Sequence, residues 1–233
     1  MIKFFKNKKD ILAVMSEKDA GSMKLLKNDI NEKNRNNFFK DLGIDKNNVF
    51  SAEIVHSDKV EIVDNDSPKI IKGADSLITR RKVFLAVTIA DCIPVYFYDE
   101  KNKVIGLAHA GWRGIADGII KNTLNKMLTL GATAIEINII MGPGIRDCHF
   151  EVDNDVAVNF KNYSEFIFKK ENKIFINLFG IINKESLDFG IKKENISDYE
   201  ECTFENSNKY FSYRRDNPKI VEAMIAIMGM RDN

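Results

Sequence analysis

Apolar residues fall along this chain in two rhythms. Runs rich in β-branched and aromatic side chains predict strands at 49–55 (VFSAEIV), 83–90 (VFLAVTIA), 94–99 (PVYFYD), 103–110 (KVIGLAHA), 134–141 (AIEINIIM) and 173–178 (KIFINL). In 112–130 the period lengthens: Ile115, Ile119, Ile120, Leu124, Met127 and Leu128 recur at steps of three and four, which predicts a helix lying on a sheet and ended by Gly131. Shorter helices are predicted over 27–42, 151–162, 179–189 and 220–230. Strands and helices are thus interspersed, as in a mixed α and β fold. The short connections at Asp91 and Cys92 and at 100–102 predict antiparallel neighbours rather than a doubly wound parallel sheet. The GPG turn at 142–144 has neither the lysine of a phosphate loop nor the third glycine of a dinucleotide fingerprint.

Composition narrows the class. With 233 residues, 44% of them hydrophobic, and only 4 Pro and 13 Gly, the chain is neither disordered nor low in complexity. A single domain over 1–233 would bury roughly 70% of its unfolded surface and would need no covalent staples. The net charge of +1 gives no global field for a polyanion, so no nucleic-acid partner is predicted. The three cysteines, Cys92, Cys148 and Cys202, are odd in number and widely spaced, which points to a reducing, cytoplasmic setting. The N-terminal residues lack the apolar core of a signal peptide, and no apolar run reaches the roughly 18 residues that cross a bilayer. A monomer or small homo-oligomer free of membranes is expected. The Asn- and Lys-rich tracts at 31–39 and 169–175 carry no functional weight.

Candidate chemistry gathers at strand ends. His56 (EIVHSD), Cys92 (TIADCIPV) and His109 (GLAHAGWRG) each sit where a strand gives way to a loop, the place where side chains emerge from a rigid sheet into a cleft. Two imidazoles and a thiolate suit zinc or copper, and three protein ligands leave a tetrahedral zinc one open position, as in catalytic sites. Alternatively Cys92 is a nucleophile with His109 or His56 as its base, Asp91 orienting the imidazole and the amides of 111–114 stabilising an oxyanion. The same residues also suit a buried inert thiol and hydrogen-bonded structural histidines.

Arg113, Arg214 and Arg215 offer guanidinium forks to phosphate, although Arg214 and Arg215 beside Asp216 equally fit a solvated turn with a local ion pair. Trp112 walls a pocket or packs, and 210–213 reads as an edge strand. In the extended reading of 148–149, Cys148 and His149 point to opposite faces and do not share a metal, and Cys202 reads as a core or edge-strand thiol.

The segments VHSDKV (55–60), GADSLIT (73–79), TIADCIPVYFYD (88–99), GLAHAGWRG (106–114), MGPGIRDCHFEV (141–152) and YFSYRRD (210–216) resemble, in order, the motifs of the YfiH family. This is also called the multicopper polyphenol oxidoreductase or laccase-domain family, and its members include a peptidoglycan editing factor and purine nucleoside phosphorylases. The resemblance implies a single-domain α+β fold with α/β/β/α layers of mixed sheets and a zinc site at His56, Cys92 and His109, copper being the other metal described. It also implies phosphorolysis of adenosine, inosine and methylthioadenosine together with adenosine deamination, so that purine nucleoside and phosphate are the expected partners. In that chemistry Asp91 or Asp75 would move protons, and Arg113 with Arg214 and Arg215 would cradle phosphate.

The alternatives are a copper-dependent polyphenol oxidase, for which three histidines are few, and a metal or cysteine hydrolase acting on a cell-wall precursor. A metal-binding protein without catalysis is a further reading. The chain departs from the family pattern in MSEKDAGSMK (15–24), which lacks the usual arginine, and at Asn217 and Ile115.

Overall fold

Alternation of side chains along two sets of strands gives this protein two sheets whose apolar faces turn toward each other. The computed structural model describes residues 1–25 and 29–231. In chain order the strands are β1 (Ile2–Phe4), β2 (Ile11–Met15), β3 (Val49–Glu53), β4 (Val60–Ile62), β5 (Ile70–Lys72), β6 (Ser76–Thr79), β7 (Phe84–Ile89) and β8 (Ile93–Asp99). They continue as β9 (Val104–Ala110), β10 (Ile137–Met141), β11 (Glu151–Val152), β12 (Ile167–Lys170), β13 (Lys173–Ile176), β14 (Ile196–Asp198) and β15 (Met224–Met230). The helices are α1 (Asp29–Asp41), α2 (Trp112–Asp117), α3 (Ile119–Thr129), α4 (Asn154–Ala157), α5 (Leu178–Asp188) and α6 (Tyr213–Asp216).

The first sheet runs β1-β2-β15-β7-β3-β5 and the second β14-β10-β8-β9-β6-β4, with a small third sheet β11-β13-β12 beside them. Both large sheets mix parallel and antiparallel pairs. Between them lies a core to which the second sheet sends Leu77, Tyr96, Tyr98, Ile105 and Leu107, and the first sends Met15, Leu85, Val87, Met224 and Met228. The alternate residues face outward. Val95, Phe97 and Ala108 pack under α2, α3 and α5, while Val14, Ala86 and Ile225 pack under Phe38 and Phe39 of α1. The layers are therefore helix, sheet, sheet, helix. Two tyrosines bolt the sheets together without leaving a buried hydroxyl unpaired: Tyr96 donates to the Val14 carbonyl (2.9 Å) and Tyr98 to Asp10 (2.7 Å). On α3 the side chains of Ile119, Ile120, Leu124 and Met127 are fully buried, each contributing about 1.5–3 kcal/mol of transfer free energy.

Several elements differ from the sequence expectation. The segment 220–230 is no helix: β15 is an inner strand between β2 and β7, with all seven residues buried. A strand covered on both faces loses its polar alternation, so its apolar run fits a helical period equally well. The strand also needs Gly229, because a Cβ there would run into the Phe84 ring. The helix expected over 112–130 is broken at Gly118, whose φ of +92° ends α2 and starts α3. Residues 151–162 hold β11, α4 and part of a 3₁₀ stretch instead of one helix. The expected helix over 27–42 is α1, and Lys27 and Asn28 lie outside the described residues. The expected edge strand at 210–213 is replaced by an extended segment leading into α6. β8 and β9 form the expected hairpin, but β7 and β8 belong to different sheets, so the chain crosses between the sheets at Asp91 and Cys92. Among the described residues no helix is long and apolar enough to cross a membrane.

Candidate metal centre

Two of the crossings between the sheets and the end of one strand bring three functional side chains to the same end of the molecule. His56 follows β3 of the first sheet and precedes β4 of the second, Cys92 sits between β7 and β8, and His109 lies near the end of β9. The two crossings that carry His56 and Cys92 are tight: His56 has φ +60° and Asp91 φ +83°, conformations that L side chains adopt only under constraint. Two buried carboxylates supply that constraint.

Asp75 is completely buried and accepts from the backbone N–H groups of His56 (2.9 Å) and Ser57 (2.8 Å), from the Ser57 hydroxyl (3.0 Å), and from His109 Nδ1 (2.9 Å). One carboxylate thus shapes the loop that carries His56 and orients the ring of His109, turning its other nitrogen, Nε2, toward Cys92. Burial pushes the Asp75 pKa up, but His109 and the Ser57 donors outweigh it and hold the group below its ordinary range.

Asp91 takes a different part from the two expected of it, orienting an imidazole or moving a proton. Its carboxylate accepts from Thr203 Oγ1 (2.6 Å), Ser212 Oγ (3.0 Å) and the Arg214 backbone N–H (2.7 Å), so it ties the crossing before Cys92 to the segments around 203 and 212–214.

The ligand atoms of His56, Cys92 and His109 lie within 4.8 Å of one another, and the two imidazole rings stand edge to face with centroids 5.0 Å apart. Burial raises the Cys92 thiol pKa, yet His109 and His56 overcome it and bring it down to about 6. Burial likewise disfavours charge on His109, but Cys92 and Asp75 raise its pKa to about 9. The floor of the trio is Gly111: a Cβ there would stand 3.0 Å from Cys92 Sγ, 3.4 Å from His56 Cδ2 and 3.5 Å from His109 Cε1. Two imidazoles, a thiolate-prone sulfur and a space that a methyl group would fill together fit one zinc or copper ion.

The trio opens into a cavity of about 560 Å³, within the range of small-molecule sites. Arg113 and Arg214 line it, as does the half-buried Trp112, which also packs on the core. Arg215 does not. Its guanidinium is spent on the carbonyls of Thr203, Phe204 and Tyr210 (2.9 Å each) and on Asp216 (2.7 and 2.8 Å), so the anion-binding role expected of it gives way to the local ion pair. Three further residues line the wall: Lys24, Phe150 and Tyr213, which lie in the segments 15–24, 141–152 and 210–216 but to which the sequence reading gave no place in the site. Lys24 closes the divergent stretch 15–24 and brings a cation to the cavity from the segment where the family's usual arginine is missing.

The expectation for Cys148 and His149 is also corrected. Residues 147–149 form a turn, closed by the His149 and Phe150 amides donating to the Arg146 carbonyl (2.9 and 2.8 Å). The strand alternation that would separate the two side chains is absent, and Cys148 Sγ lies 3.0 Å from His149 Nδ1.

Comparison with known proteins places this geometry. The chain is similar to purine nucleoside phosphorylase RP494 of Rickettsia prowazekii (strain Madrid E), 32% identical over 184 residues covering 73% of this chain and 75% of the relative. It is also similar to adenosine deaminase RL5 of an unknown prokaryotic organism, 29% identical over 190 residues covering 75% and 72% of the two chains. Among solved structures, YlmD from Geobacillus stearothermophilus superposes with a TM-score of 0.89 at 26% identity, covering 96% of this chain and 93% of that one. The Bacillus licheniformis hypothetical protein YfiH does so with the same score and identity, over 95% and 93%. The model of the multi-copper polyphenol oxidoreductase laccase family matches residues 26–231, and with these relatives it establishes that the chain belongs to that family.

Proposed function

We propose that this protein is a purine nucleoside phosphorylase, accepting adenosine, inosine and methylthioadenosine, that also deaminates adenosine, with zinc held by His56, Cys92 and His109. The observation that carries the reading is the meeting of those three ligands at the floor of a cavity that also presents three cations, Lys24, Arg113 and Arg214. The names of the relatives, purine nucleoside phosphorylase and adenosine deaminase, support the same chemistry. Bound there, zinc would supply a Lewis acid facing the cavity.

The chain's own residues account for the rest. Phosphorolysis moves the ribosyl group from a purine nitrogen to a phosphate oxygen, so the site must hold a dianion beside a flat heteroaromatic base. Arg113 and Arg214 offer planar forks to the phosphate and Lys24 a point charge. Tyr213 and Trp112, the latter with the Arg113 guanidinium 4.3 Å from its ring, offer aromatic surface, and stacking a base on such a face contributes about 1–3 kcal/mol. Asp75 acts as a positioning residue, since it is wholly buried and its acceptor sites are filled.

Incubation with adenosine and phosphate, following ribose 1-phosphate, adenine and inosine, tests the proposal. Turnover that is lost in Cys92→Ala and on chelation supports it. Equal turnover by both proteins refutes it.

A further inference from the structure

Away from the cavity at Cys92, the described residues contain a second trio of metal-ligating side chains. The ligand atoms of Cys148, His149 and Cys202 also lie within 4.8 Å of one another. We propose that these three residues form a second metal site, which takes a zinc-class cation through two thiolates and one imidazole and clamps the wall of the first cavity.

The ligand atoms stand close enough for one cation to reach all three. His149 Nδ1 is 3.0 Å from Cys148 Sγ and 3.7 Å from Cys202 Sγ. A tetrahedral zinc, with Zn–S of about 2.3 Å and Zn–N of about 2.05 Å, separates sulfur from nitrogen by about 3.6 Å, a value the two distances bracket. One imidazole nitrogen has one lone pair and can accept from only one of the two thiols, so the other S–H is left to the neighbouring sulfur, a weak acceptor. A cation at the centre uses a lone pair from all three atoms.

The surroundings prepare the ligands. His149 stacks on Phe204 with centroids 4.4 Å apart and planes 21° apart, which fixes the plane of the ring. The Arg146 amide donates to Cys202 Sγ at 3.4 Å, which fixes the position of that sulfur. Two ligands come from the turn at 147–149, and the third from a segment already stitched to the preceding loop by the Gly144–Cys202 bridge and by the Thr203 amide donating to the Gly144 carbonyl (3.1 Å). Little ordering remains to be done when an ion binds. Cys148 is exposed, and with His149 it borders a cavity of about 600 Å³, which leaves room for a solvent molecule as fourth ligand.

The position gives the ion a structural consequence. Thr203, next to Cys202, holds Asp91, and Asp91 holds the crossing that presents Cys92. Phe150 and Arg214 line both cavities. An ion at the second trio would therefore fix the loop and the arginine that form one wall of the first site.

Cobalt(II) titration of reduced, metal-stripped full-length protein tests this. The wild type is expected to bind two equivalents and Cys92→Ala one, keeping about two-thirds of the thiolate-to-cobalt charge-transfer absorption because two of three thiolates remain. The variant Cys148→Ser, at an exposed position that spares the core, is expected to bind its second equivalent at least about tenfold more weakly, with the melting curve of the metal-free protein unchanged. The proposal is overturned if Cys92→Ala binds no cobalt, or if its cobalt uptake survives the addition of Cys148→Ser and Cys202→Ala. A Cys148–Cys202 disulfide in the metal-loaded, reduced protein would overturn it as well.

Discussion

The two sulfur and imidazole trios use nearly the same donors but are built in opposite ways. His56, Cys92 and His109 are delivered separately by elements of both sheets, and a buried carboxylate, Asp75, holds two of them. Cys148, His149 and Cys202 come from a turn and an adjoining loop, and His149 is steadied by a phenylalanine ring instead of a carboxylate. The electrostatics diverge accordingly. Two imidazoles bring Cys92 down to about 6, whereas burial and the neighbouring Cys202 push Cys148 up to about 11. The sulfur of the first trio is thus prepared as a thiolate by its neighbours, while Cys148 of the second is held as a thiol. A rigid sheet end with a paired charge suits chemistry, and a turn closed on a loop suits a clamp.

The largest expected effect separates the roles outright. Cys92→Ala should lower kcat for adenosine phosphorolysis by about three orders of magnitude or more, the scale expected when a group acting in the transition state is removed. A tenfold loss would reduce the first trio to a structural part.

Alkylation of metal-stripped protein comes next. The Cys92 pKa is lowered, so its thiolate is present above pH 6 and protonated below. Its iodoacetamide rate, followed by peptide mass spectrometry, should rise through about pH 6 and then level. Cys148, although exposed, should still be accelerating at pH 9. At pH 7 Cys92 should lead by roughly a hundredfold, after allowing for the weaker nucleophilicity of a low-pKa thiolate. A Cys92 profile that climbs through pH 8–9 like a free thiol would erase the contrast.

Asp75→Asn should weaken zinc binding at the first trio by about 10–100-fold and leave the second unchanged, as read by competition with a chromogenic chelator in the Cys148→Ser and Cys92→Ala backgrounds respectively. The smallest effect belongs to Gly111→Ala. Its Cβ would meet Cys92 Sγ at 3.0 Å, and relieving that contact should cost about 1 kcal/mol, a roughly fivefold loss of zinc affinity at the first trio alone.

Legibility in the sequence followed locality. His56, Cys92 and His109 stood out because each closes an apolar run, and strand ends can be read from the apolar pattern itself. The layered arrangement came from the family's motifs, since periodicity could not tell that β7 and β8 lie in different sheets. β15 was misread because a strand buried on both faces carries no alternation. Extended backbone would send Cys148 and His149 to opposite faces, but the Arg146 carbonyl closes a turn there instead. Arg215 looked free because its acceptors are mostly backbone carbonyls, which every residue possesses and no sequence marks. Asp91 and Asp75 could be named as carboxylates near the site, but their division of labour depends on partners as distant as Ser212 and His109.

A crystal structure of zinc-loaded protein, with anomalous differences collected at the zinc edge, tests the central claim most directly. The account predicts a peak bonded to Cys92 Sγ, His109 Nε2 and a ring nitrogen of His56, at about 2.3 Å from the sulfur and about 2.0–2.1 Å from the nitrogens. Full zinc occupancy elsewhere with no peak among these three side chains would contradict it.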